Sequence, residues 1–310
     1  MTDLPDSMDA AKAAAARDAR SGLVVGLACY VLWGFLPLLF HALQDLGSVT
    51  IVANRTIWSL LLVGVILLAS RRLGEVKAAL ANPATLRSMA ISSVLLAANW
   101  LIYVWAIDAG QVLQGSFGYF INPLVNVAIG MLLLGERQNR WQAFSIAIAV
   151  VAIVIQAIGI GGIPYIALSL ALTFGFYGFF RKTAKVGSAS GLFVETLVLT
   201  PLAVGYLIWL IVTGGGLGLM GYPKYALLLI LTGPATAIPL LAFAFAVRRL
   251  RLTTIGMLQY ISPSIQFLLA IFLFREPTNP VQLLSFGLIW LSLAIYTSES
   301  VIRRRAAAYG

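Results

Sequence analysis

From Gly22 to Thr297 the chain is a succession of apolar runs, each about 20 residues long, with short polar turns between them. A helix of that length rises about 30 Å, the thickness of a bilayer's hydrocarbon core. Inside that layer every backbone N–H and C=O must be bonded within the protein, which leaves only helices and closed barrels. Barrel strands alternate apolar and polar residues, and these runs do not. The expected fold is therefore all-α and polytopic, with spans near 22–41, 50–70, 86–107, 112–134, 141–158, 163–180, 190–212, 225–247, 254–274 and 281–298. Composition agrees: 60% of residues are hydrophobic and 10% charged, against about 25% charged in soluble domains.

The net charge of +10 would suggest nucleic acid in a soluble protein. Here it has a simpler cause. Of the 21 Lys and Arg residues, eighteen fall on one side of these spans: Lys12, Arg17, Arg20, Arg71, Arg72, Lys77, Arg87, Arg137, Arg140, Arg181, Lys182, Lys185, Arg248, Arg249, Arg251 and Arg303 to Arg305. Lys224 and Arg275 fall on the other side. Cytoplasmic loops carry the excess of Lys and Arg, so both termini are expected in the cytoplasm, and a wrong span count would scramble the alternation. Residues 1–20, Ala-rich and polar, are expected to form a mobile cytoplasmic arm, and 299–310 a basic cytoplasmic tail. The apolar run after Arg20 is as long as a span and lacks a small-residue cleavage site, so it is read as a retained first helix rather than a signal peptide.

The chain also repeats itself. Gly118 to Glu136 reads GYFINPLVNVAIGMLLLGE, and 140 positions later Leu258 to Glu276 reads LQYISPSIQFLLAIFLFRE. Each copy is an apolar helix with a central proline, Pro123 or Pro263, and a terminal glutamate. The same offset brings Glu136, Asn139, Gln142 and Ser145 onto Glu276, Asn279, Gln282 and Ser285. The halves are then 21–158 and 163–298, five spans each. Because five is odd, the second half enters the membrane inverted, an architecture common among secondary transporters with mid-membrane sites.

Polar residues inside the spans mark the candidate site. Tyr119, Asn122 and Asn126 in the fourth span, and Gln259, Ser262 and Gln266 in the ninth, are spaced i, i+3, i+7 and share one helix face. Tyr260 joins the second set. Proline lacks an N–H, so Pro123 frees the Tyr119 carbonyl and Pro263 the Gln259 carbonyl. Two readings stand: these amides line a substrate cavity, or they bond one helix to another. Helix 1 carries Tyr30, Trp33, Pro37 and His41 on one face; helix 3 has Asn99 and Tyr103; helix 6 has Thr173 and Tyr177; helix 8 has Thr232, Pro234, Thr236 and Pro239 and is not expected to stay straight. Trp105, Trp141 and Trp209 suit the interfacial belt, whereas Trp33, Tyr103, Tyr119 and Tyr177 lie deeper. An aromatic lining with a few amides suits an amphipathic or aromatic solute, organic cations included. Two charges fall within spans, Arg55 and Glu195, each about five residues deep from opposite faces. Each either snorkels to its nearer interface or serves a gate there.

One cysteine (Cys29) and one histidine (His41) cannot hold a haem, an iron–sulfur cluster or a zinc site, so no cofactor or metal is expected. An intramembrane enzyme would need a converging nucleophile and base, and none is evident. A passive channel or a non-transporting sensor remains the alternative. The expected partners are a small-molecule substrate and membrane lipid, not nucleic acid; the sequence leaves the oligomeric state open, with a monomer favoured.

Several runs together carry a family likeness: YVLWGFLPLLF, ANRTIWSLLL, ANWLIYVWAIDAGQVLQGSFGYFINPLVNVAIGMLLLGER and QYISPSIQFLLAIFLFREP. On these the chain resembles the EamA branch of the drug/metabolite transporter superfamily and, through ANW…GYFINPL, its RarD group. The resemblance implies a bacterial inner-membrane permease of two five-helix domains working by alternating access. It also implies a central cavity lined by helices 1, 3, 4, 6, 8 and 9. The chain departs from the pattern at Arg275-Glu276, where family members have Gly-Glu. It also lacks the first-helix carboxylate of the small multidrug relatives.

Overall fold

A computed structural model describes residues 4–108, 112–160, 165–214, 223–273 and 279–309. Arg275 and Glu276, and the side chains of Lys12, Trp105, Asp108, Gln282 and Arg303 to Arg305, lie outside the described set. The described residues form helices: α1 (Leu4–His41), α2 (Ser48–Ala69), α3 (Leu73–Ala81), α4 (Pro83–Asp108), α5 (Val112–Leu134), α6 (Arg140–Ile160), α7 (Tyr165–Thr183), α8 (Ser188–Val212), α9 (Pro223–Arg249), α10 (Leu252–Gln259), α11 (Ile261–Phe272) and α12 (Pro280–Tyr309). Six stretches among them are long and apolar enough to cross a membrane: Ala13–His41, Ser48–Ala69, Pro83–Tyr103, Arg140–Ile158, Ser188–Val212 and Pro223–Arg249.

Three features differ from what the sequence leads one to expect. The N-terminal arm is helical and continuous with the first span. Its alanines have the highest helix propensity, and a span already nucleated behind them removes the cost of starting a helix. The loop after the second span contains a short helix, α3. The ninth apolar run is two helices, interrupted at Tyr260. The eighth, by contrast, holds Pro234 and Pro239 within one helix.

The chain forms two compact units. Unit 1 comprises residues 1–94 and 180–251, and unit 2 comprises 95–179 and 252–310. Each unit therefore draws helices from both halves of the sequence repeat. In unit 1, α1 packs on α9, and α2 on α8 and α9. In unit 2, α5 packs on α10, and α6 on α12. Ser145 and Ser292 pin α6 to α12 reciprocally: each hydroxyl donates to the other's carbonyl, at 2.9 and 2.7 Å. Phe120, Met257, Tyr260 and Ile289 form the apolar core beside that seam.

Candidate substrate site

In unit 2 the proline helix α5 meets α10, the helix that ends four residues before Pro263. Asn126 Nδ2 on α5 donates to Gln259 Oε1 on α10 at 2.8 Å, and both side chains are buried. Three residues before Gln259, Gly256 lies so close to α5 that a Cβ there would stand 2.6 Å from the Pro123 carbonyl oxygen. Only glycine permits that approach. The two candidate stripes are thus brought together, and Asn126 and Gln259 play the helix-bridging part of the two readings.

The terminal glutamate of the first copy adds a link that spacing does not suggest. α5 ends before Gly135, whose φ of +65° suits glycine. The turn lets Glu136 Oε1 accept from the Leu252 N–H at 2.8 Å. The first N–H groups of a helix have no partner within it and carry its positive dipole end, so this carboxylate caps α10. The segment that follows the proline helix α5 thereby fixes the start of α10.

The ninth apolar run breaks where its chemistry is weakest. Pro263 cannot donate to the Gln259 carbonyl, and α10 ends at Gln259. Beyond it, Ser264 gives both its N–H (3.1 Å) and its hydroxyl (2.7 Å) to the Tyr260 carbonyl. Trp290 Nε1 then donates to the Ser264 hydroxyl at 2.6 Å. Pro123, braced by Gly256, leaves α5 unbroken.

Other candidates in unit 2 divide between bonded and open groups. Asn99 Nδ2 donates to the Leu170 carbonyl (2.9 Å) and to Thr173 Oγ1 (3.0 Å), tying α4 to α7. Tyr103 and Tyr119, both half-buried, stack at a tilt with centroids 5.2 Å apart. Tyr177 is fully buried beside Phe174. Gln266 Nε2 donates to Ser262 Oγ at 3.3 Å, a bond within the second stripe. Asn122, 0% exposed, is different: neither its Oδ1 nor its Nδ2 finds a partner in the protein. The Tyr260 hydroxyl and Asn126 Oδ1 are likewise buried and unpartnered.

Trp33, Pro37, Pro239, Arg55 and Glu195 belong to unit 1. Trp33 packs against Tyr30 and Phe243, at 5.6 and 5.8 Å between centroids. The Cys29 thiol donates to the Pro239 carbonyl at 3.1 Å. Arg55 and Glu195 both turn inward rather than snorkelling. Arg55, 8% exposed, donates from Nε to Thr236 Oγ1 at 2.9 Å, with its guanidinium 5.4 Å from the Phe40 ring centroid. Glu195 is 0% exposed, accepts from Ser92 Oγ at 2.5 Å and lies 3.6 Å from Arg181. The charge pattern places Arg181 among the surface cations, but it is 2% exposed, and its Nη2 also donates to the Ser188 carbonyl at 3.0 Å. The signal for its burial is Gly191, one turn before Glu195 on the same face, where a Cβ would overlap Arg181 Nη1. Three further basic residues are also engaged. Lys182 donates to the Val247 and Leu250 carbonyls at the end of α9, Arg248 to the Val186 carbonyl, and Arg249 to Asp18.

Long apolar helices with prolines and amides buried along their length define a multi-pass helical membrane protein. Comparison with known proteins makes this specific. The EamA-like transporter family matches residues 20–157. Protein RarD of Streptomyces exfoliatus is 40% identical over 287 residues, covering 93% of this chain and 91% of that protein. Protein RarD of Escherichia coli K12 is 36% identical over 292 residues, covering 94% and 98%. A protein of Vibrio cholerae named only as an uncharacterized transporter is 38% identical over 291 residues, covering 94% and 96%. One solved crystal structure superposes with a TM-score of 0.70 at 16% identity, over 89% of this chain and 97% of the other, which speaks to fold alone. The chain belongs to the EamA-like transporter family, in its RarD group.

Proposed function

We propose that this transporter moves a small amphipathic solute across the bacterial inner membrane by alternating access, with both termini cytoplasmic. On this reading its ten apolar segments all span the membrane, as two inverted five-helix repeats at 21–158 and 163–298. The observation that carries it is the meeting of α5 with α10: Asn126 bonds Gln259, Gly256 abuts Pro123, and beside them Asn122 leaves both of its polar atoms unbonded. The match of the family to residues 20–157 supports the first repeat, and the charge alternation supports the topology. The break at Tyr260 gives α10 and α11 a joint, as expected of a discontinuous helix that works at mid-membrane.

The test is counterflow in proteoliposomes of purified protein, using labelled solutes first selected by thermal stabilisation. Saturable uptake driven by unlabelled internal solute is expected. Linear flux without exchange would indicate a channel instead, and stabilisation without any flux a sensor. Gln259→Ala should reduce exchange while the protein still reaches the membrane.

A further inference from the structure

We infer, resting on the transporter reading above, that unit 2 takes an uncharged solute. Its polar end would be amide-like, with one donor and one acceptor side by side, and Asn122 would be the residue that reads it. The first argument is the set of buried groups. Among the described residues, the buried polar side chains of unit 2 are Asn, Gln and Ser, and none is charged. C-terminal to Asn122 the first charge is Glu136, just past the end of α5, and the helix from Asn122 to Leu134 alone rises about 18 Å. That carboxylate already caps α10.

The second argument is Asn122 itself. A buried amide without a partner is destabilising, and an apolar residue of similar size would be better tolerated in a purely structural role. Its neighbours show what such a role looks like, since Asn126 and Asn99 give their N–H groups to other helices. Asn122 gives neither atom, so its pairing belongs to another partner. A carboxamide offers two N–H donors and one carbonyl acceptor, and the group that satisfies both kinds at once presents a C=O and an N–H together. Primary amides, lactams and ureas do this. A carboxylate only accepts, and would leave Asn122 Oδ1 unpaired with no buried cation among the described residues of this unit to offset its charge. An ammonium only donates, and would leave Nδ2 unpaired with no buried carboxylate there to answer it. One turn along the same face, the Tyr119–Tyr103 pair supplies aromatic surface for the apolar body. Asn122 is 0% exposed, so the solute meets it only as this face opens, which an alternating cycle requires.

Matched triplets test the inference on the full chain in detergent: benzamide, benzoate and benzylammonium, then indole-3-acetamide, indole-3-acetate and tryptamine. Within each set only the polar group changes. The amides should raise the melting temperature and the charged analogues should not. Asn122→Leu should weaken amide binding by about tenfold or more, because the solute's amide is then buried without its partners. Asn122→Asp should shift preference toward the ammonium members. The inference is overturned if the charged analogues bind as well as the amides, if no amide binds, or if Asn122→Leu keeps amide affinity. A separate outcome strikes the transporter reading alone: amides that bind through Asn122 yet show no counterflow. Counterflow of tryptamine but not of the amides would do the reverse.

Discussion

The two units bury opposite kinds of polar group. Among the described residues, every buried charge (Arg55, Arg181, Glu195) lies in unit 1, and every buried Asn or Gln lies in unit 2. In unit 1 the charges are bound in place: Glu195 by Ser92 and Arg181, Arg181 by Ser188, Arg55 by Thr236. Gly191 leaves room for the Arg181 guanidinium and for nothing more. In unit 2 the amides are only partly bonded. Desolvated charges demand fixed partners and suit an anchor. A neutral amide can be left waiting at a smaller penalty and suits a group that exchanges partners. On the proposed reading, that division of chemistry separates holding from binding.

Substitutions put that division at risk, and the costliest comes first. Arg181→Met leaves the buried Glu195 carboxylate with its Ser92 hydrogen bond but without the Arg181 cation, a loss of about 3–5 kcal/mol. Thermal unfolding in detergent should show it, and adding Glu195→Leu should recover most of it. A double variant as unstable as the single one would mean that the pair is not the anchor. Gly256→Ala drives a methyl into the Pro123 carbonyl and should cost about 1–3 kcal/mol through overpacking. Exchange activity should fall with it. Asn126→Leu and Gln259→Leu each strand one buried amide, at about 1–3 kcal/mol. Together they should cost less than their sum, and strict additivity in a double-mutant cycle would deny the bond. Glu75, in the short helix α3, gives a smaller effect with a pH signature. Hydrogen bonds from Arg72 and Ser190 hold its carboxyl below the usual value of 4.5. A depressed folded pKa adds stability above the ordinary value, and that contribution disappears as pH falls through the folded one. Glu75→Gln should therefore lower stability slightly near neutral pH and make no difference in strong acid.

Much of this is legible in the chain because membrane helices declare themselves by apolar length and proline helices by their gap in hydrogen bonding. The i, i+3, i+7 spacing puts Asn122 and Asn126 on one face, and the structure keeps them there. Spacing cannot say which amide bonds Gln259 and which is left over, because that depends on the partner helix. Arg181 escapes the sequence for a related reason. It sits in a run of basic residues at the end of α7, where depth is uncertain by a turn, and it is buried only because α8 returns past it with Gly191 facing inward. The Glu136 cap on α10 joins residues 116 apart, beyond the reach of any local pattern. The interruption at Tyr260 is half legible: Pro263 identifies the bond missing at the Gln259 carbonyl, whereas the Ser264 hydroxyl on the Tyr260 carbonyl and the Trp290 bond to it depend on the fold.

Asn122→Leu carries the smallest expected stability change and separates binding from holding most directly. It removes two unpaired polar atoms from a buried position and replaces them with a side chain of similar size. Unfolding and amide counterflow should be measured on the same preparation. If Asn122 serves the solute, the melting temperature will be unchanged or raised and exchange will be lost. A variant that is destabilised yet still exchanges amides would show that Asn122 supports the fold and not the solute.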